Sequence, residues 1–109
     1  MFCYQEKLPL QDLGNGVLMK NLGQGSKMSV LHWNMADGSV VPLHQHPHEQ
    51  FGYVIQGGFK MLIGEETAIL KAGDCYFIPS DIPHTFTAIG ETEAIDVFSP
   101  PREGLPGAK

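Results

Sequence analysis

Glycine and proline punctuate this chain so often that a helical fold is excluded. Thirteen Gly and eight Pro are spread through 109 residues. Gly opens backbone conformations that turns require, and Pro fixes φ and removes a hydrogen-bond donor. The pieces between them are short and rich in strand-forming residues: MSVLHWNM from Met28 to Met35, FKMLI from Phe59, TAILK from Thr67, CYFIP from Cys75 and AIDVF from Ala94. Asp37-Gly38, Gly57-Gly58, Gly64-Glu65-Glu66, Ala72-Gly73-Asp74 and Gly90 to Glu93 read as the turns that separate them. About eight short strands with a turn every 6 to 12 residues or so predict an all-β fold, either a small β-barrel or a double-sheet jelly roll. No helix of three turns is expected.

The length leaves room for one domain. Within it, residues 1–27 read as N-terminal strands and residues 99–109 as a Pro/Gly-rich tail, loosely held beyond Arg102. A domain of this size leaves much apolar surface uncovered, so a homodimer is expected, with contacts from residues 1–27. The net charge of −5 and the lack of a basic run argue against nucleic acid. No apolar run approaches a membrane span, and the first residues lack a leader pattern, so a cytoplasmic protein is expected. Cys3 and Cys75 have no metal-site spacing; both read as reduced, with Cys75 packing in a strand.

Three of the five His fall within PLHQHPHEQ, residues 42–50. Side chains two apart on a strand share a face, so His44 and His46 are spaced to chelate one ion. A further ligand must come from another strand, and His84 is the candidate. Imidazole suits Ni, Zn, Mn, Fe and Cu, so one divalent transition metal is expected without its identity. By parity His48 and Gln50 compete for the next position, although Pro47 breaks the strand's regularity and His48 is read as turning outward or sitting behind the ligands. Glu49 has the opposite parity. His32 reads as a satisfied core histidine.

The pattern is wider than the histidines. G-x5-H-x-H-x3-Q-x6-G runs through Gly38, His44, His46, Gln50 and Gly57, and G-x5-P-x4-H through Gly73, Pro79 and His84. Together these resemble the two motifs of the cupin superfamily over residues 38–88, which implies a single-domain double-stranded β-helix around a metal. Gln50 stands where cupins usually carry Glu, Asp81 where the second motif has Gly, and Ala88 where it ends in Asn. Asp tolerates the left-handed turn that Gly would adopt. Ala88 reads as structural.

Three neutral imidazoles and a neutral amide leave the charge of a divalent ion uncompensated. One unit of charge at about 4 Å is worth on the order of 4 kcal/mol at an effective dielectric of about 20. Such a pocket favours an anionic guest, a carboxylate, enolate or hydroxy acid. In the last strand Asp96 and Phe98 share a face, and Arg102 follows Pro100-Pro101. By spacing alone these are a strand residue, a core residue and a solvated charge. However, AIDVFSPPRE, HQHPHEQ and IPSDIPH resemble the small cupins of the KdgF-like pectin degradation type. That resemblance implies His44, His46, Gln50 and His84 as metal ligands, Asp96 and Arg102 as catalytic residues, and Phe98 with Arg102 as substrate-binding residues. The implied partner is a carboxylated sugar, a 4,5-unsaturated uronate opened to its linear keto form. A metal-dependent oxygenase and a non-catalytic metal- or ligand-binding module are the competing expectations.

Overall fold

The computed structural model describes residues 1–103. Their order is a single 3-10 turn at Gln5–Lys7, then β1 (Gln11–Asp12), β2 (Val17–Gln24), β3 (Ser29–Met35), β4 (Val40–His44), β5 (Glu49–Ile63), β6 (Glu66–Lys71), β7 (Cys75–Ile78) and β8 (His84–Ser99). The expected all-β barrel is what forms, with no α-helix among the described residues. The expectation about the tail after Arg102 falls mostly outside them.

Two strands organise the rest. β5 and β8 pair antiparallel from Glu49 opposite Ser99 to Ile63 opposite His84, and each changes its second partner half-way along. β5 pairs β7 through its first half and β6 through its second. β8 pairs β4 first and β3 second, and β3 continues to β2 and β1. A strand that changes partner carries the chain around the corner between two sheets, which is how a jelly roll closes over its core.

The sequence reading placed strand ends at Gly57-Gly58 and at Gly90. The structure runs β5 and β8 straight through both positions. Register shifts flank residues 54–58, and Gly57 takes φ +72°, so the pair is a bulge within one strand and not a hairpin turn. A Cβ at Gly57 would lie 2.3 Å from the Glu91 carbonyl oxygen, and one at Gly58 2.2 Å from that of Leu70. These glycines therefore let neighbouring backbones approach. The bulge also switches parity: even residues Gln50 and Val54 face inward before it, odd residues Phe59 and Met61 after it.

The core fills the barrel with Met19, Leu31, Trp33, Val54, Phe59, Ile78, Phe86 and Phe98. Alternation in β7 sends Tyr76 and Ile78 inward and leaves Cys75 exposed, so Cys75 lies in a strand but does not pack. His32 faces away from Leu31 and Trp33 and meets the Glu93 carboxylate at 2.6 Å. It is satisfied, as read from sequence, and lies outside the central cavity. Asp81 does take the left-handed conformation, at φ +61°.

Candidate metal centre

His44 ends β4 and sits directly opposite His84, which opens β8. His46 lies in the short connection to β5, where the Asp81 amide holds its backbone carbonyl at 2.8 Å. A ring nitrogen from each of the three lies within 4.8 Å of the others. Thus two segments far apart in sequence deliver three imidazoles to one place.

Each ring is oriented the same way. Nδ1 meets a backbone carbonyl in all three: Pro42 for His44 at 2.8 Å, His48 for His46 at 3.1 Å, and Ile82 for His84 at 2.8 Å. A carbonyl oxygen can only accept, so Nδ1 carries the proton and Nε2 presents its lone pair inward. The Nε2 atom of His84 is buried with no hydrogen-bond partner. The Nε2 atom of His46 faces the Gln50 Oε1 at 3.1 Å, two acceptors pointed at each other. A cation is what such an arrangement lacks, and the donor set fits a divalent transition metal held by His44, His46, His84 and Gln50. His48 serves this group through its main-chain carbonyl; its ring is not one of the three that converge.

Burial tunes the imidazoles for that role. It depresses the pKa of His84 to about 4, more than its Ile82 hydrogen bond restores, and lowers that of His46 as well. His84 therefore stays neutral, and able to ligate, at mildly acidic pH, and His46 is shifted in the same direction.

Phe98 and Asp96 lie deeper along β8. Phe98 pairs with Gln50 across β5, and its ring meets that of His46 edge-on, with centroids 5.7 Å apart. Asp96 has no solvent exposure. Its Oδ1 accepts a 2.5 Å hydrogen bond from the Tyr76 hydroxyl, whereas Oδ2 has no partner within hydrogen-bond geometry. Burial raises its pKa to about 6, against the lowering influence of Tyr76, Gln50, Trp33 and the Arg102 charge. Desolvation wins because the carboxyl is wholly enclosed.

Arg102 is not a solvated tail charge. Its amide donates to the buried Ser29 Oγ at 3.0 Å, which folds the chain back after β8, and its guanidinium lies 5.2 Å from the Phe98 ring centroid. Arg102, Phe98, Gln50 and His44 line one cavity of about 480 Å³ together with Trp33 and Phe86. Sequence reasoning missed Tyr76, Trp33 and Ser29. For Tyr76 a signal existed, since it shares parity with the inward Ile78 and lies opposite the strand glycine Gly52.

Residues 31–98 match the family model described as "Cupin domain". The chain belongs to the cupin family. This cupin is 31% identical to the pectin degradation protein KdgF of Dickeya dadantii (strain 3937), over 93% of its own length and 94% of that relative's. Among solved structures it resembles KdgF from Halomonas sp., with a TM-score of 0.90 and 30% identity, covering 94% of this chain and 96% of that one. An RmlC-like cupin from Shewanella frigidimarina NCIMB 400 also superposes with a TM-score of 0.90, at 29% identity, covering 94% and 92% of the two chains. In this cupin a carboxylate, Asp96, lies near the otherwise neutral ligands, so its charge partly offsets that of a bound divalent ion when ionised. Arg102, at the cavity wall, restores positive potential where a guest would sit.

Proposed function

We propose that this cupin opens the ring of 4,5-unsaturated uronates at a divalent metal held by His44, His46, Gln50 and His84. The observation that supports this most is the shared cavity: His44 and Gln50 of the cation-seeking cluster line the same space as the carboxylate-seeking Arg102. The similarity to two KdgF proteins along nearly the whole chain supports the substrate class.

The metal, when bound, supplies Lewis acidity that stabilises negative charge on oxygen. This chain's residues do the rest. Arg102 pairs with the substrate carboxylate through its planar fork, and Phe98 and Trp33 give the sugar ring apolar walls. The Asp96 carboxylate takes the proton of the C1 hydroxyl. The C1 to ring-oxygen bond then breaks, C1 becomes a carbonyl, and the ring oxygen leaves as an enolate that regains a proton at C4 and ends as the C5 ketone. A base whose pKa is near 6 is ionised at neutral pH and still accepts a proton readily. No redox change occurs.

The test is elemental analysis of the purified protein together with the ultraviolet absorbance of the conjugated C4=C5 bond. Loss of absorbance with unsaturated galacturonate, abolished by chelation, is the expected result. Tight metal binding without turnover of any unsaturated uronate overturns the reading, and oxygen consumption would point to an oxygenase instead.

A homodimer belongs to the same proposal. Phe51, Tyr53, Ile55 and Phe77 are exposed on the outer face of β5 and β7, and Phe2 and Tyr4 are exposed in the N-terminal segment. Light scattering should give twice the mass of one chain. No helix among the described residues is long and apolar enough to cross a membrane; action in the cytoplasm is part of the proposal.

A further inference from the structure

Gln50 presents a problem that a Glu ligand would not. An amide has two ends of similar shape, and only the oxygen can bind a cation. If the amide were turned round, its NH₂ group would donate to the His46 Nε2 lone pair, a satisfied arrangement in the absence of metal and a hostile one in its presence. Something must select the orientation seen, with Oε1 at 3.1 Å from that nitrogen.

The other side of Gln50 offers the selector. The Asp96 carboxylate can only accept, and its Oδ2 is buried and unpartnered. With Oε1 turned to the histidines, the Gln50 amide nitrogen is left to face Asp96, beside the Trp33 indole N–H. Asp96 is fixed in turn by Tyr76, whose hydroxyl holds Oδ1 at 2.5 Å with both side chains buried. The two meet across Gly52, which pairs with Tyr76 on one side and Asp96 on the other. A Cβ there would lie 2.0 Å from Tyr76 Cζ and 2.3 Å from Asp96 Oδ1, so the contact exists because residue 52 has no side chain.

We infer that Tyr76 is a positioning residue for the metal centre: across the gap left by Gly52 it fixes Asp96, and Asp96 holds the Gln50 amide with its oxygen toward the histidines. This inference rests on Gln50 being the fourth ligand and not on the uronate reaction.

The experiment is a double-mutant cycle read as Zn²⁺ affinity, measured by competition with a chromophoric chelator on the full chain. Tyr76→Phe removes one hydroxyl and no charge. It should weaken Zn²⁺ binding about tenfold or more, the usual size for loss of a group that orients a ligand. On a Gln50→Ala background the same substitution should leave affinity unchanged, because there is no amide left to orient. An effect of equal size in both backgrounds, or no effect in the native one, overturns the inference. Should Tyr76→Phe fail to fold, Asp96→Asn takes its place in the cycle with the same two outcomes. If the native protein binds Zn²⁺ and couples Tyr76 to Gln50 yet turns over no uronate, the proposed reaction fails and the positioning role stands. If it binds no metal, both fail.

Discussion

The imidazoles of His44 and His84 lie with ring centroids 4.2 Å apart, where the two residues oppose each other across β4 and β8. Strand pairing itself therefore sets half of the metal cluster, and the position costs no loop ordering. Replacing His84 removes a buried imidazole from the three that converge. His84→Ala should abolish stoichiometric metal binding by elemental analysis while circular dichroism keeps its β signature; retention of a full equivalent of metal would exclude His84 as a ligand.

Arg102 should act on the guest and not on the ion. Arg102→Ala is expected to raise KM for an unsaturated uronate about tenfold or more, from loss of a charge-assisted pair, with metal content unchanged. Equal KM values for the variant and the native protein would remove Arg102 from substrate binding.

Assayed at a Zn²⁺ concentration that saturates the variant, Asp96→Asn should lower kcat by about a hundredfold or more, since a general base contributes roughly 10² to 10⁴ to rate. Native-like turnover of unsaturated galacturonate by this variant would exclude Asp96 as the base.

The pH dependence of stability in metal-free protein follows from two buried groups with opposite signs. Asp96 holds its proton up to about pH 6 when folded, whereas the unfolded carboxyl releases it near 3.8, so its contribution falls as pH rises through that window. His84 accepts a proton only near pH 4 when folded, against 6.5 unfolded, so its contribution falls as pH drops from 6.5 to 4. The melting temperature of Asp96→Asn, relative to the native protein, should therefore increase from pH 4 to pH 6, and that of His84→Ala should increase in the reverse direction. A pH-independent difference for either variant would contradict the assignment.

Gly52→Ala tests the close approach beneath the metal centre. The added Cβ must displace the Tyr76 ring or the Asp96 carboxyl, and overpacking in a filled core costs about 1 to 3 kcal/mol or more. Thermal or urea unfolding should show at least that loss; an unchanged midpoint would mean the two side chains have room to part.

The histidine cluster was legible in the sequence because it obeys local rules. His44 and His46 follow strand parity, Gln50 follows it again past Pro47, and the Gly73, Pro79, His84 spacing carried the family resemblance. The all-β barrel was legible from Gly and Pro punctuation, yet Gly57-Gly58 and Gly90 were read as strand ends, since a bulge and a turn demand the same backbone freedom. Only pairing with a neighbour decides between them. Parity with Ile78 hinted that Tyr76 points inward, but what Tyr76 and Ser29 do was not legible for the same reason: each acts through a partner distant in sequence, Asp96 and Arg102 respectively. Spacing alone read Arg102 as a free terminal charge and only the family resemblance put it at the site; the chain's return to Ser29 places it on the cavity wall.

That return divides the labour of the molecule. On the proposed function, side chains rooted in the barrel would grip the ion, whereas recognition of an acidic guest would hang on a short strap that leaves the last strand and hooks onto the start of β3 by one amide. Selection could thus rewrite guest preference by editing a few residues after Ser99 while the metal grip passes unchanged from one variant to the next.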